Sequence, residues 1–169
     1  LFYISVIVLA WLLSNVFKKC SITTRYHKCH LGVVMPLFVL FFVKAFSACG
    51  TDLLGGYYAD FMSSTSWADY HDHSMEIGHI LLNILVRAYI ADYPVMVFLY
   101  AIITFAPIYY LINKYFKEID VPFTIAAYAA IFLFPGISLI RIYMAASLSL
   151  MSFDAIKECK TLRSLLFIF

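Results

Sequence analysis

Charge is the scarcest commodity in this chain. Only 13% of its 169 residues are Asp, Glu, Lys or Arg, while 64% are apolar or aromatic. A soluble domain carries about 25% charged residues, so the composition excludes an ordinary water-soluble fold and predicts an integral membrane protein. The net charge of +2 says little by itself, because where the basic residues sit matters more, and no nucleic-acid partner is expected. Cysteine is equally thin. Cys20, Cys29, Cys49 and Cys159 show no CxxC and no paired spacing, so they read as small membrane residues rather than as a disulfide or metal framework. Residues 1–17 lack the basic segment that opens a signal peptide and read as a span or the remainder of one. There is no internal repeat, no low-complexity tract and no soluble domain, so residues 1–169 read as a single membrane domain. The start on Leu1 rather than Met, and the stop inside the apolar run 164–169, read as cuts in a longer protein.

What the chain has in abundance is apolar runs. A spanning helix needs roughly 20 such residues, and the candidates are 1–17, 31–49, 94–112, 121–140 and 142–156, with another starting at 164. Asp92 before Pro94 and Asp120 before Pro122 have the form of helix starts, an N-cap followed by an early proline. The expected fold is all-α, a polytopic membrane protein with about five to six spanning helices.

Topology follows from lysine and arginine. The connection 18–30 holds Lys18, Lys19, Arg25 and Lys28 and is expected in the cytoplasm, which puts 50–74 outside. Segment 75–91 then decides the rest. If it crosses, Lys114, Lys117, Lys157, Lys160 and Arg163 all fall outside. If it stays on the outer side they fall inside, and nine of the twelve basic residues become cytoplasmic, with Lys44, Arg87 and Arg141 at or beyond the outer boundary. The positive-inside rule favours the second choice. The segment's own pattern agrees, because Glu76, His79, Asn83 and Arg87 fall within an arc of about 80° on one helix face, with Leu81, Ile84 and Leu85 turned away. Such a helix suits the membrane interface, or the wall of a wet cavity, better than lipid. Residues 50–92 thus form an extracytoplasmic loop and interface helix holding Asp52, Asp60, Asp69, Asp72, Glu76 and Asp92.

Several residues there invite chemistry. Arg141 follows FPGISLI, where Pro135 and Gly136 should break the preceding helix. The helix starting near Ile142 offers free N–H groups and a positive dipole end beside an arginine, which suits phosphate. The plainer reading is an arginine snorkelling to the headgroups. Asp52 lies in ACGTDLLGGYYADF, with Tyr57 and Tyr58 close behind. It suits binding of sugar hydroxyls or base catalysis, with the tyrosines stacking on sugar rings, and it also suits an Asx-type turn with interfacial tyrosine anchors. His71, His73, Glu76 and His79 are competent metal ligands, but their spacing matches no zinc-protease pattern, HExxH being absent. General-base roles for His79 or Glu76 fit better, since both share a face with Arg87. His27, Cys29 and His30 read as part of a solvated basic loop.

Taken in order, these pieces resemble a known family. Lys44, Gly50-Thr51-Asp52, Tyr57, Phe61, Glu76-Ile77-Gly78, then Arg141 with Ala145 are similar to the EpsG-type branch of the Wzy-like bacterial polysaccharide polymerases, over nearly the whole chain. The resemblance implies a GT-C-like membrane fold and a glycosyltransferase that works without metal or cofactor. It would join repeat units carried on a polyprenyl diphosphate at the outer side of the plasma membrane, alongside other polysaccharide assembly or export proteins. It also implies that Arg141 holds the donor diphosphate and that Asp52 and Glu76 line the sugar site. Lys44 stands where the family usually has Arg, Ile142 where it has Gln, and the gap from Asp52 to Tyr57 is one residue longer. A flippase for a lipid-linked saccharide would use the same arginine and acidic cavity without forming a bond. A non-catalytic component of an export complex would use neither.

Overall fold

The computed structural model describes residues 2–23, 28–46, 56–63, 77–133 and 140–159, and it is helical throughout apart from one small hairpin. Helix α1 (Phe2–Val16) leads into the strands β1 (Ser21–Thr23) and β2 (Lys28–His30), then α2 (Leu31–Ala45). After these come α3 (Tyr58–Ser63), α4 (Ile77–Tyr89) and α5 (Tyr93–Lys114). Helix α6 (Val121–Tyr128) continues as a π turn over Ala129–Leu133, and α7 (Ile140–Lys157) completes the set.

Within the described residues the expected apolar segments are helices, with boundaries shifted by a few residues, and the run starting at 164 lies outside the described set. Asp92 and Asp120 both occupy N-cap positions with a proline in the first two helical residues, although neither side chain makes a cap bond. Among the described helices, α5 is the one long and apolar enough by itself to cross a membrane, whereas α1, α2 and residues 121–132 are shorter apolar helices. Pro36 and Pro107 lie inside α2 and α5, a placement tolerated where neighbouring helices re-satisfy the freed carbonyls. Upstream of Pro135-Gly136 the helix does not stop abruptly. It widens into the π turn from Ala129, which loosens the ladder ahead of a residue that cannot donate to it. Residues 134–139 lie outside the described set.

The 18–30 connection is more structured than its basic composition predicts. Ser21, Ile22 and Thr23 pair antiparallel with His30, Cys29 and Lys28. β-Branched residues favour that extended pairing, and β2 is tied to the bundle. Cys29 Sγ lies 2.9 Å from the Tyr109 hydroxyl, Asn113 Nδ2 donates to the Lys28 carbonyl at 3.2 Å, and the His30 ring stacks on Phe116. Helix α1 approaches closely because residue 32 is glycine. A Cβ there would meet the Ser14 carbonyl at 3.1 Å and Lys18 Cα at 3.0 Å, and Ser14 Oγ instead donates to the Gly32 carbonyl at 2.8 Å.

Two apolar clusters organise the helices. The larger joins α1, α2, the second half of α5, and α6, through Ala10, Val33, Leu40, Ile108 and Ile125. The smaller gathers Tyr57, Phe61, Val86, Met96, Val97 and Tyr100, with Met144 of α7 packed against it. Helix α7 runs parallel to α5, since Met144 meets the start of α5 while Asp154 meets its end at Lys114. The segment between them therefore returns the chain from one end of the bundle to the other.

That geometry collects the described basic connections at one end. Lys18 lies 4.0 Å from Asp120, Lys114 pairs with Asp154 and Glu158, and Lys157 stands over the Tyr115 ring. Side chains are distributed inside-out relative to a soluble protein. Phe38, Phe42, Phe98, Ile102 and Phe123 are exposed, while Ser14, Lys44, His79, Asn83, Thr104 and Asp154 are buried. A hydrocarbon solvent rewards that pattern.

Candidate functional site

At the opposite end of the bundle, the polar face of α4 turns inward. His79 and Asn83 are each 1% exposed, whereas Leu85 is 53% exposed and Leu81 also faces out. The amphipathic pattern read from the sequence is therefore real, and protein covers its polar side. Helix α4 lies against the first half of α5 through Tyr100. His79 Nδ1 makes a short hydrogen bond with the Tyr100 hydroxyl, and Asn83 Nδ2 donates to His79 Nε2 at 3.1 Å. In that arrangement Nε2 is an acceptor, so the neutral ring carries its proton on Nδ1 and donates to Tyr100. Asn83 Oδ1 is then left without a partner. Turning the amide over would present Oδ1 to a protonated Nε2, so the same three side chains accommodate His79 in either charge state.

Arg87, two turns further along the same face, is engaged with α3. Its NH1 donates to the carbonyls of Phe61 and Met62, which belong to the last turn of that six-residue helix. Helix C-termini leave such carbonyls without intrahelical partners, so the guanidinium caps α3 and fixes it against α4. The two adjacent tyrosines part company there. Tyr57 is buried, with its ring edge-on to His79 at a centroid distance of 5.5 Å, while Tyr58 is exposed and touches Tyr93 at 5.2 Å. Tyr58 is thus the one with a ring face open to a ligand.

Lys44 reaches the same region from α2. Its side chain is buried, 4% exposed, and Nζ lies 3.4 Å from the Thr104 hydroxyl. Thr104 in turn donates to the carbonyl of Tyr100 at 2.8 Å, one helical turn away. Arg141 lies by its backbone in the first turn of α7, and its side chain is outside the described set. Met144, further along the same helix, packs against the cluster that holds Tyr57 and Tyr100. Asp52 and Glu76, with the histidines at 71 and 73, lie outside the described residues. Among those that are described, no three His, Cys, Asp or Glu side chains gather in a way that would hold a metal ion.

Three helices, α2 through Lys44, α4 through His79 and α7 through Met144, together with Tyr57 just ahead of α3, therefore approach one residue the sequence reading did not single out, Tyr100. Its signal was present in the sequence: a phenol inside an apolar span, with a threonine four residues later on the same face, is a polar stripe that lipid would not reward.

The profile of the EpsG family matches residues 29–169. No curated protein and no solved structure matches the chain significantly.

Proposed function

Because the chain belongs to the EpsG family of polysaccharide polymerase-like membrane proteins, we propose that it is a membrane glycosyltransferase joining polyprenyl-diphosphate-linked saccharide units at the outer side of the bacterial plasma membrane. The match over residues 29–169 carries this reading. The approach of Lys44, His79 and Met144 of α7 to the surroundings of Tyr100 supports it. The topology it requires agrees with the bundle, since the basic connections share the end opposite α4.

In the proposed reaction the acceptor hydroxyl attacks the anomeric carbon of the donor sugar. A new C–O bond forms, the bond to the diphosphate breaks, and its electron pair leaves with the phosphate. The hydroxyl proton passes to a base, for which His79, Glu76 and Asp52 are the candidates. Negative charge grows on the leaving group, and Arg141 stabilises it beside the N-terminus of α7. Arg87 positions α3, and with it Tyr58 at the sugar, while the buried Tyr57 packs on His79. Positively charged groups buried in a dry cavity supply electrostatic stabilisation far larger than in water.

Purified full-length protein in lipid nanodiscs, given lipid-linked repeat units, is expected to lengthen the saccharide with no other protein present. Arg141→Ala should abolish that growth. Undiminished polymer from the variant would sink the diphosphate role, and substrate translocation without bond formation would indicate a transporter.

A further inference from the structure

Lys44 is the least comfortable charge among the described residues. It belongs to the last turn of α2, where a lysine would ordinarily extend to water. A helical side chain leans toward the helix N-terminus, however, and this one turns back into the bundle to meet Thr104. Thr104 lies eleven residues into α5, roughly 16 Å from its start at 1.5 Å per residue, which is near the middle of that span. An ammonium has three N–H donors and needs an anion or several acceptors when it leaves water. Among the described residues the one acceptor is a threonine hydroxyl at a long 3.4 Å, and no carboxylate stands within ion-pair distance. Attraction to the C-terminal dipole of α2 does not explain this placement, because that attraction acts at the helix end and the ammonium has moved away from it. Buried cations of this kind mark ligand sites in membrane proteins.

We propose that Lys44, with Thr104, anchors a second oxyanion subsite between α2 and α5, separate from that of Arg141, which takes a phosphate group of a lipid diphosphate. The assignment rests on the polymerase reading in one respect. A protein that joins two lipid-linked saccharides must hold two diphosphates, and Arg141 accounts for one. The chemistry of the subsite itself, an ammonium donating to a phosphate oxygen with a hydroxyl beside it, does not depend on that reading.

The test uses the full-length Arg141→Ala protein, so that binding at the other subsite does not interfere. Thermal unfolding and ligand affinity are measured for this protein and for its Lys44→Met and Lys44→Arg derivatives, with inorganic diphosphate, polyprenyl diphosphate and the uncharged polyprenol. The diphosphates should raise the unfolding temperature of the Lys44 protein and polyprenol should not. Lys44→Met should weaken binding roughly ten- to hundredfold, the range for a hydrogen bond to a charged group, and Lys44→Arg should keep most of it. Without ligand, Lys44→Met should unfold at a higher temperature than its parent, because an uncompensated buried charge has been removed. Protection by the lipid diphosphate alone would show that the carrier chain is read together with the headgroup. Protection by inorganic diphosphate as well would show that the headgroup suffices. Both support the subsite, even if no polymer is ever formed. Protection by neither, equal affinity in Lys44→Met, or a lower unfolding temperature in ligand-free Lys44→Met would each overturn it, the last by revealing an internal counter-charge.

Discussion

His79 and Tyr100 are 21 residues apart and on different helices, yet the imidazole Nδ1 and the phenol hydroxyl share a hydrogen bond in a fully buried position. The contact fixes the rotation of the ring about which Lys44, Tyr57 and the start of α7 are disposed. Tyr100→Phe keeps the packing volume and removes only the hydroxyl. It should cost about 1–3 kcal/mol through the orphaned imidazole nitrogen, and polymer synthesis should fall. A double-mutant cycle with His79→Phe is expected to show coupling of about 0.5–3 kcal/mol. Strict additivity in that cycle would mean that the two side chains do not depend on each other.

At the far end of the bundle, Lys114 Nζ donates to both carboxylate oxygens of Asp154 at 2.7 and 2.6 Å, and the Tyr115 hydroxyl donates to the same carboxylate at 2.7 Å. This clamp joins the ends of the parallel helices α5 and α7. Asp154→Ala should lower stability by about 1–3 kcal/mol, visible as a lower unfolding temperature. Replacing the pair together by Lys114→Met and Asp154→Leu should recover most of the loss, because the apolar pair leaves no buried charge stranded and Glu158, the other partner of Lys114, is exposed to water.

Sidedness can be read from the native thiols. Cys20 and Cys159 are exposed and belong to the end that carries the basic connections. In a variant with Cys29 and Cys49 replaced by serine, a membrane-impermeant thiol reagent added to intact cells should leave both unlabelled until the membrane is opened. A cysteine at Tyr89, which is exposed at the end of α4, should react at once. Labelling of Cys159 but not of Y89C would invert the topology.

The hairpin should respond to pH through His30. Burial, then the positive charges of Lys28 and Lys117, hold its pKa below the ordinary 6.5. On acidification the unfolded chain therefore takes up the proton first, so the stability contributed by the neutral ring is present above pH 6.5 and is lost as pH falls toward the depressed value. Thiol labelling of Cys29, which the folded hairpin shields beside Tyr109, should gain on that of the exposed Cys20 at the same pH as the pH falls below about 6.5. In His30→Phe, which keeps the stacking on Phe116 without a titrating group, that gain should vanish.

Much of this architecture was legible in one dimension. Apolar runs longer than a globular core requires, Asp-x-Pro helix starts, and the period of His79, Asn83 and Arg87 are local patterns, and local patterns survive in a sequence. They determined the membrane class, the helical segments, the polar face of α4 and the family resemblance. They did not say which way that face would turn, that Tyr57 would be buried and Tyr58 exposed, or that residues 21–23 and 28–30 would pair as strands. Nor did they identify Tyr100 as the hub or send the Lys44 ammonium inward to Thr104, 60 residues away in the chain. Those outcomes belong to the packing of α2, α4 and α7 around α5. A polar side chain inside hydrocarbon must find its partner on another helix, and which residue that is depends on how the helices lie against one another rather than on the spacing within any one of them.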